Sequence, residues 1–137
     1  IFSHSGINNV NIDVALEAKR RGMKVIAYGS AAAAQGKQTR HSSGKTIFDI
    51  ADLVVDSCAP LGDSCVPLKN HQDKVGPVST MAFVTCAWMT VCTVAEILAD
   101  RGVKLYINPS HNVPGDTTAR QRFDEALAEY KRRIAGV

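Results

Sequence analysis

The sequence predicts an α/β fold, an open and mostly parallel sheet flanked by helices. Three observations carry that expectation. Residues 24–28 and 53–56 are short apolar runs rich in β-formers. Segments with helical spacing of apolar residues alternate with them along the chain. Polar loops (3–9, 30–43 and 57–64) follow the predicted strands, and ligands of such sheets bind at strand carboxyl ends.

Taken in order, Ile1 and Phe2 read as the tail of a buried strand running straight into a loop. With nothing ahead of that strand, the expectation is a domain that lacks its N-terminal part. Residues 9–21 then space Val10, Val14 and Leu16 with Ala15 and Ala18 on an apolar side, and Gly22 stops the helix. The strand 24–28 ends at Gly29-Ser30, and a small, flexible stretch occupies 31–43. Residues 44–51 predict a short helix with Ile47, Phe48 and Ile50 facing inward, followed by the strand 53–56. Turn signals at Pro60, Gly62, Pro67 and Gly76 surround an edge strand at 65–68. A long helix, 78–101, opens after Pro77 and closes at Gly102. A last strand at 104–107, a loop at 108–116 and an amphipathic helix at 117–134, with Phe123, Leu127, Tyr130 and Ile134 on one face, complete the chain.

Composition bounds the function. A length of 137 residues suits one domain, 1–137, and 45% hydrophobic with 21% charged residues is ordinary for a soluble protein. The net charge of +3 suits an anionic small ligand. The triplets Lys19-Arg20-Arg21 and Lys131-Arg132-Arg133 fall within predicted helices, so nucleic acid is not an expected partner. Cys58, Cys65, Cys86 and Cys92 show no CxxC spacing, which favours reduced thiols in a cytoplasmic protein, with a Cys58–Cys65 pair as the redox alternative. Residues 77–95 carry no charge and approach the length of a membrane span. Five hydroxyl residues and the lack of flanking anchors argue against a membrane, so the expectation is a helix buried on most sides, central to the fold or in a subunit interface.

The chemistry concentrates in the run Ser3-His4-Ser5-Gly6-Ile7-Asn8. A strand, this loop and then a helix make a cradle for an oxyanion, with backbone N–H groups, a positive helix end and hydroxyl donors. Gly6 lets the backbone approach a ligand, and His4 lies inside the cradle. The competing reading is that Ser5, Asn8 or Asn9 caps the helix. The loop is neither a GxGxxG nor a Walker sequence, and no cofactor is expected. Arg40-His41-Ser42-Ser43-Gly44-Lys45 is a second anion-suited cluster, with Ser43 a ligand contact or a helix cap and His41 the best acid–base candidate. In Gly62-Asp63-Ser64, Asp63 suits sugar hydroxyls or a base, against the plainer reading of a turn aspartate. Ser79 and Thr80 open the long helix as a hydroxyl pair or as caps. His4, His41, His71 and His111 are scattered without metal-ligand spacing, so no metal is expected.

The runs 1–8 and 18–27 together resemble the core of the sugar isomerase (SIS) domain. Segments 40–45, 51–56, 62–64 and 74–80 are similar to an uncharacterised subgroup of phosphosugar-binding SIS-domain proteins. The resemblance implies a Rossmann-like α/β sandwich, further chain ahead of Ile1, a sugar-phosphate ligand and a homodimer or homotetramer. It maps Ser3, Ser5, Gly6 and Asn8 onto the phosphate loop, and Ser79 and Thr80 onto the hydroxyls that start the later helix. Isomerases of this superfamily use a glutamate base, yet Met81-Ala82-Phe83-Val84 follows Thr80, and Glu17 and Glu96 lie far from that point. A sugar-phosphate isomerase and a non-catalytic phosphosugar-sensing module therefore both remain open.

Overall fold

A computed structural model describes residues 1–110 and 112–136, so His111 lies outside the described residues. The chain forms two compact units, Ile1–Thr90 and Val91–Val137. The first is α/β. Its parallel sheet joins β1 (Ile26–Gly29) to β2 (Leu53–Asp56), with Ile26 opposite Leu53 and Gly29 opposite Asp56. On the other side of β1, Phe2 makes a parallel bridge to Tyr28, fixed by Tyr28 N–H to Ile1 O at 2.8 Å and Ser3 N–H to Tyr28 O at 2.9 Å. Three parallel segments thus end side by side, at Ser3, Gly29 and Asp56.

Alternation along β1 sends successive side chains to opposite faces. Ala27 enters the core with Ile12 and Ala15 of α1 (Asn9–Arg20), Val25, and Ile47 and Ile50 of α3 (Ile47–Ile50), the second of two short helices. The first, α2 (Ala31–Ala34), sits in the stretch read as merely flexible, where Ser30 accepts from Ala33 N–H as its cap. Tyr28 faces the other way, stacked on Phe2 at 4.8 Å, and Phe2 in turn meets Phe83 at 5.6 Å. Phe83 belongs to α4 (Ser79–Asp100), and the Tyr28 hydroxyl donates to Thr90 Oγ1 at 3.1 Å. Helices therefore cover both faces of β1.

The other sheet is an antiparallel hairpin, β3 (Ser64–Pro67) with β4 (Lys74–Pro77), Val66 opposite Val75. β4 is not expected from the sequence, where Gly76 reads as a turn signal and Pro77 as the opening of the long helix; both are accommodated at the end of an exposed, two-stranded ribbon. One described sheet is thus parallel and the other antiparallel.

In the second unit α4 ends at Asp100, and just beyond it Gly102 N–H donates to Ala99 O and Val103 N–H to Leu98 O, a glycine-type helix stop. The strand expected at 104–107 is not formed, because no described strand pairs with it. α5 (Ala119–Ile134) carries the amphipathic pattern. Glu129, between the Arg132 and Arg133 side chains, has its carboxyl pushed down to about 2.

The long apolar helix departs from expectation. α4 is long and apolar enough to cross a membrane by length and composition. Of its residues only Ser79 is buried; Met81 is 75% exposed, and Trp88 and Met89 are each 64% exposed. The expectation that it would be central to this fold is corrected: no described element covers that face.

Candidate functional site

Three polar loops meet where the parallel segments end. Ser30 N–H donates to His4 O at 2.9 Å, the fully buried Ser30 hydroxyl donates to Ala59 O at 2.6 Å, and Ser57 N–H donates to Gly29 O at 2.7 Å. Asp56 adds two bonds, accepting from Ala31 and Cys58 N–H. Sequence reasoning placed these loops together but did not single out Ser30 or Asp56, which stitch them. Their only sequence signal is position, directly at or after the ends of β1 and β2.

The loop ahead of α1 is shaped by a ring. Gly6 has φ +72°, and a Cβ there would stand 2.3 Å from the Phe48 ring; one on Gly29 would stand equally close to it. The two glycines leave room for Phe48, and Ile47 N–H donates to Gly6 O at 2.9 Å, fastening α3 to the loop. The close approach anticipated at Gly6 is therefore made by the protein's own Phe48. Gly6 N–H is also engaged, donating to Ser3 Oγ at 3.2 Å, and Ser3 is 9% exposed.

The structure separates capping from free donors. Asn8 is the N-cap of α1, its Oδ1 accepting from Val10 N–H at 3.2 Å. Ser5, by contrast, makes no side-chain hydrogen bond among the described residues, and the N–H groups of Ser5, Ile7 and Asn8 find no acceptor there. Both ring nitrogens of His4 are buried without a hydrogen-bond partner among the described residues. Buried polar atoms in that condition are uncommon and mark either strain or a missing partner.

The start of α4 shows the same division. The β3–β4 hairpin returns the chain so that Asp63 stands beside Val78 and Ser79. Asp63 Oδ1 accepts from Val78 N–H at 3.0 Å and Ser79 N–H at 2.7 Å, while Oδ2 accepts from the Ser79 hydroxyl at 2.7 Å. The Ser79 hydroxyl, followed by these N–H groups and the positive influence of nearby His4, holds the Asp63 carboxyl below its usual range against a desolvation that opposes it. A carboxylate so engaged is a weak base, so the geometry makes Asp63 the cap of α4. Thr80, exposed, keeps a hydroxyl without a partner among the described residues. The Phe2–Phe83 contact brings this helix start to the end of the first parallel segment.

The His41 cluster is organised differently. His41 Nε2 lies 2.9 Å from Asp13 Oδ1, and Nδ1 lies 2.7 Å from Ser43 Oγ. Ser43 N–H donates to Nδ1 at 3.1 Å, and Lys45 N–H donates to Ser43 Oγ at 3.2 Å. Asp13 is a polar residue of α1, and nothing in its local sequence signals the contact with His41. Thr46 and Asp49 form a reciprocal capping box that starts α3, for which Thr-x-x-Asp is the local signal.

Among the described residues no three His, Cys, Asp or Glu side chains gather as metal ligands. The four cysteines are free thiols. A groove of about 310 Å³ in the second unit, lined by Leu98, Val103, Tyr106 and Tyr130 among others, includes none of the residues singled out from the sequence.

The loop, α1 and β1 are the part of the chain that matches a known family. The match is to the SIS domain, over residues 1–30. The whole chain is similar to UPF0309 proteins. One from Thermoanaerobacter pseudethanolicus is 35% identical over 136 residues, 98% of this chain and 54% of that protein. One from Caldanaerobacter subterraneus is 32% identical over the same shares of the two chains. One from Oceanobacillus iheyensis is 36% identical over 126 residues, 91% of this chain and 51% of that protein. The chain spans about half the length of these curated relatives. The resemblance read from residues 1–8 and 18–27 is thus to the family the comparison finds, and the α/β character of the SIS domain agrees with the first unit.

Proposed function

We propose that this chain carries the phosphate end of a sugar-phosphate site in an SIS-domain protein. The observation that carries the reading is the division of labour at two helix starts. Asn8 and Asp63 do the capping, so the Ser5 and Thr80 hydroxyls, with the N–H groups of Ser5, Ile7 and Asn8, stay available to an oxyanion. Ser3 and Gly6 shape the loop beneath them, Ser79 donates to Asp63 at the start of α4, and His4 supplies an imidazole whose nitrogens have no partner among the described residues. The match of residues 1–30 to the SIS domain supports the same ligand class.

Within that reading the protein is a sugar-phosphate isomerase, with His41 moving protons and Ser43 beside it. The second reading, a phosphosugar-sensing module without chemistry, is favoured by the carboxylates: Glu17 is bound by Arg20 and Arg21, and Asp63 is engaged as a cap. The proposal includes a cytoplasmic homodimer or homotetramer without nucleic acid or membrane partners; the exposed apolar side chains of α4, Met81, Val84, Trp88 and Met89, support self-association.

Calorimetry of the intact protein with a panel of aldose and ketose phosphates, and with the same sugars lacking phosphate, tests the site. Binding that requires the phosphate supports it, and equal or no binding across both panels overturns it. Following the bound sugars by NMR then separates the two readings, since interconversion of any aldose–ketose pair removes the sensing module.

A further inference from the structure

The tautomer of His41 can be assigned from its partners. A backbone N–H can only donate, and Ser43 N–H points at Nδ1 from 3.1 Å. Nδ1 therefore carries the lone pair, and in the neutral ring the proton sits on Nε2, 2.9 Å from Asp13 Oδ1, to which it donates. The ring is well enclosed, with 11% of its side chain exposed, and is held from both ends. Among the described residues the other polar atom bonded to the basic nitrogen is Ser43 Oγ at 2.7 Å, and Ser43 is itself exposed. A base oriented by a carboxylate and bonded to a hydroxyl is the arrangement by which a proton can be handed on. Asp13 stands four residues into α1, about 6 Å of helix rise from Asn9, so the cluster flanks the helix whose start forms the loop.

We propose that Asp13 is a positioning residue: it fixes His41 as the Nε2–H tautomer, so that His41 exchanges protons with a bound sugar's hydroxyl through Ser43. A ligand hydroxyl passes its proton to Ser43 Oγ as the Ser43 proton moves to Nδ1. The products are a ligand alkoxide and an imidazolium held by the Asp13 carboxylate, so charge and protons balance. This rests on the sugar-phosphate reading of the neighbouring loop.

Long-range proton–nitrogen NMR of histidine-labelled intact protein reads the ring directly. The wild type should show Nε2 protonated and Nδ1 bare in the neutral form. Asp13→Ala should mix the tautomers, since the Asp13 carboxylate is what accepts from Nε2–H. Asp13→Glu should restore the Nε2–H form, and thermal melts confirm that the variants remain folded. A wild-type ring protonated on Nδ1, or a tautomer ratio untouched by Asp13→Ala, overturns the proposal. Where the wild type turns over a sugar phosphate, Asp13→Ala and Ser43→Ala should each lower kcat by roughly 100-fold, the low end of what general acid–base catalysis contributes, with Asp13→Glu recovering most of the Asp13 loss; an unchanged kcat overturns the relay. Ser5→Ala, read by sugar-phosphate affinity, reports on the loop alone, so failure of the ligand reading and failure of the relay give different results.

Discussion

Two hydroxyl-rich segments, 3–8 and 40–45, look alike in the sequence, each with serines, a histidine and a glycine ahead of a helix. In the structure they differ in what is left over. The first leaves Ser5, three backbone N–H groups and both His4 nitrogens without partners among the described residues. The second ties Ser43, His41 and Asp13 to one another. Polar groups already bonded within the protein exchange one partner for another when a ligand arrives, whereas unengaged donors gain one. That difference, rather than residue type, is what supports the proposal that the first segment faces the ligand.

Replacing Gly6 with valine should break the comparison most. A side chain at φ +72° is strained by about 1–2 kcal/mol, and crowding against Phe48 adds roughly 1–3 kcal/mol. A large fall in melting temperature together with lost sugar-phosphate affinity is expected; an unaffected melt would show that Phe48 does not pin the loop. Next in size, Ser5→Ala should weaken sugar-phosphate binding by about 1.5–3 kcal/mol, the worth of hydrogen bonds to charged groups. Its stability should hardly move, and unchanged affinity in calorimetry would contradict the cradle. Asp63→Ala should cost about 1 kcal/mol of stability, as loss of a helix cap does. Because folding lowers the Asp63 pKa, its contribution is present above the unfolded value near 4 and is lost as pH falls through the folded one. The variant should therefore lose less stability than the wild type on acidification to pH 3, and an identical acid profile in denaturant titrations would count against this role. Smallest of all, Ser43→Ala should reduce sugar-phosphate affinity by less than about 1 kcal/mol, since its hydroxyl already has neutral partners. A loss equal to that of Ser5→Ala would erase the distinction between the two segments.

The sequence by itself determined the local elements, because their causes are local. Helical spacing with Gly22 bounded α1, and apolar runs marked β1 and β2. The residues 1–8 and 18–27 were enough to point to the SIS family. It misread what depends on a neighbour. Residues 104–107 have strand composition but no described partner, and 74–77, where Gly76 signals a turn and Pro77 a helix start, pair with β3. The apolar 22-residue α4 reads as core by composition, although burial depends on what packs against it. At the site, the sequence could name the hydroxyls but not say which ones cap a helix. Asp63 reaches Ser79 across sixteen positions and His41 reaches Asp13 across twenty-eight, contacts that leave no local pattern. Only the tertiary structure, by bringing those distant groups together, decided which donors are taken within the protein and which are left without a partner among the described residues.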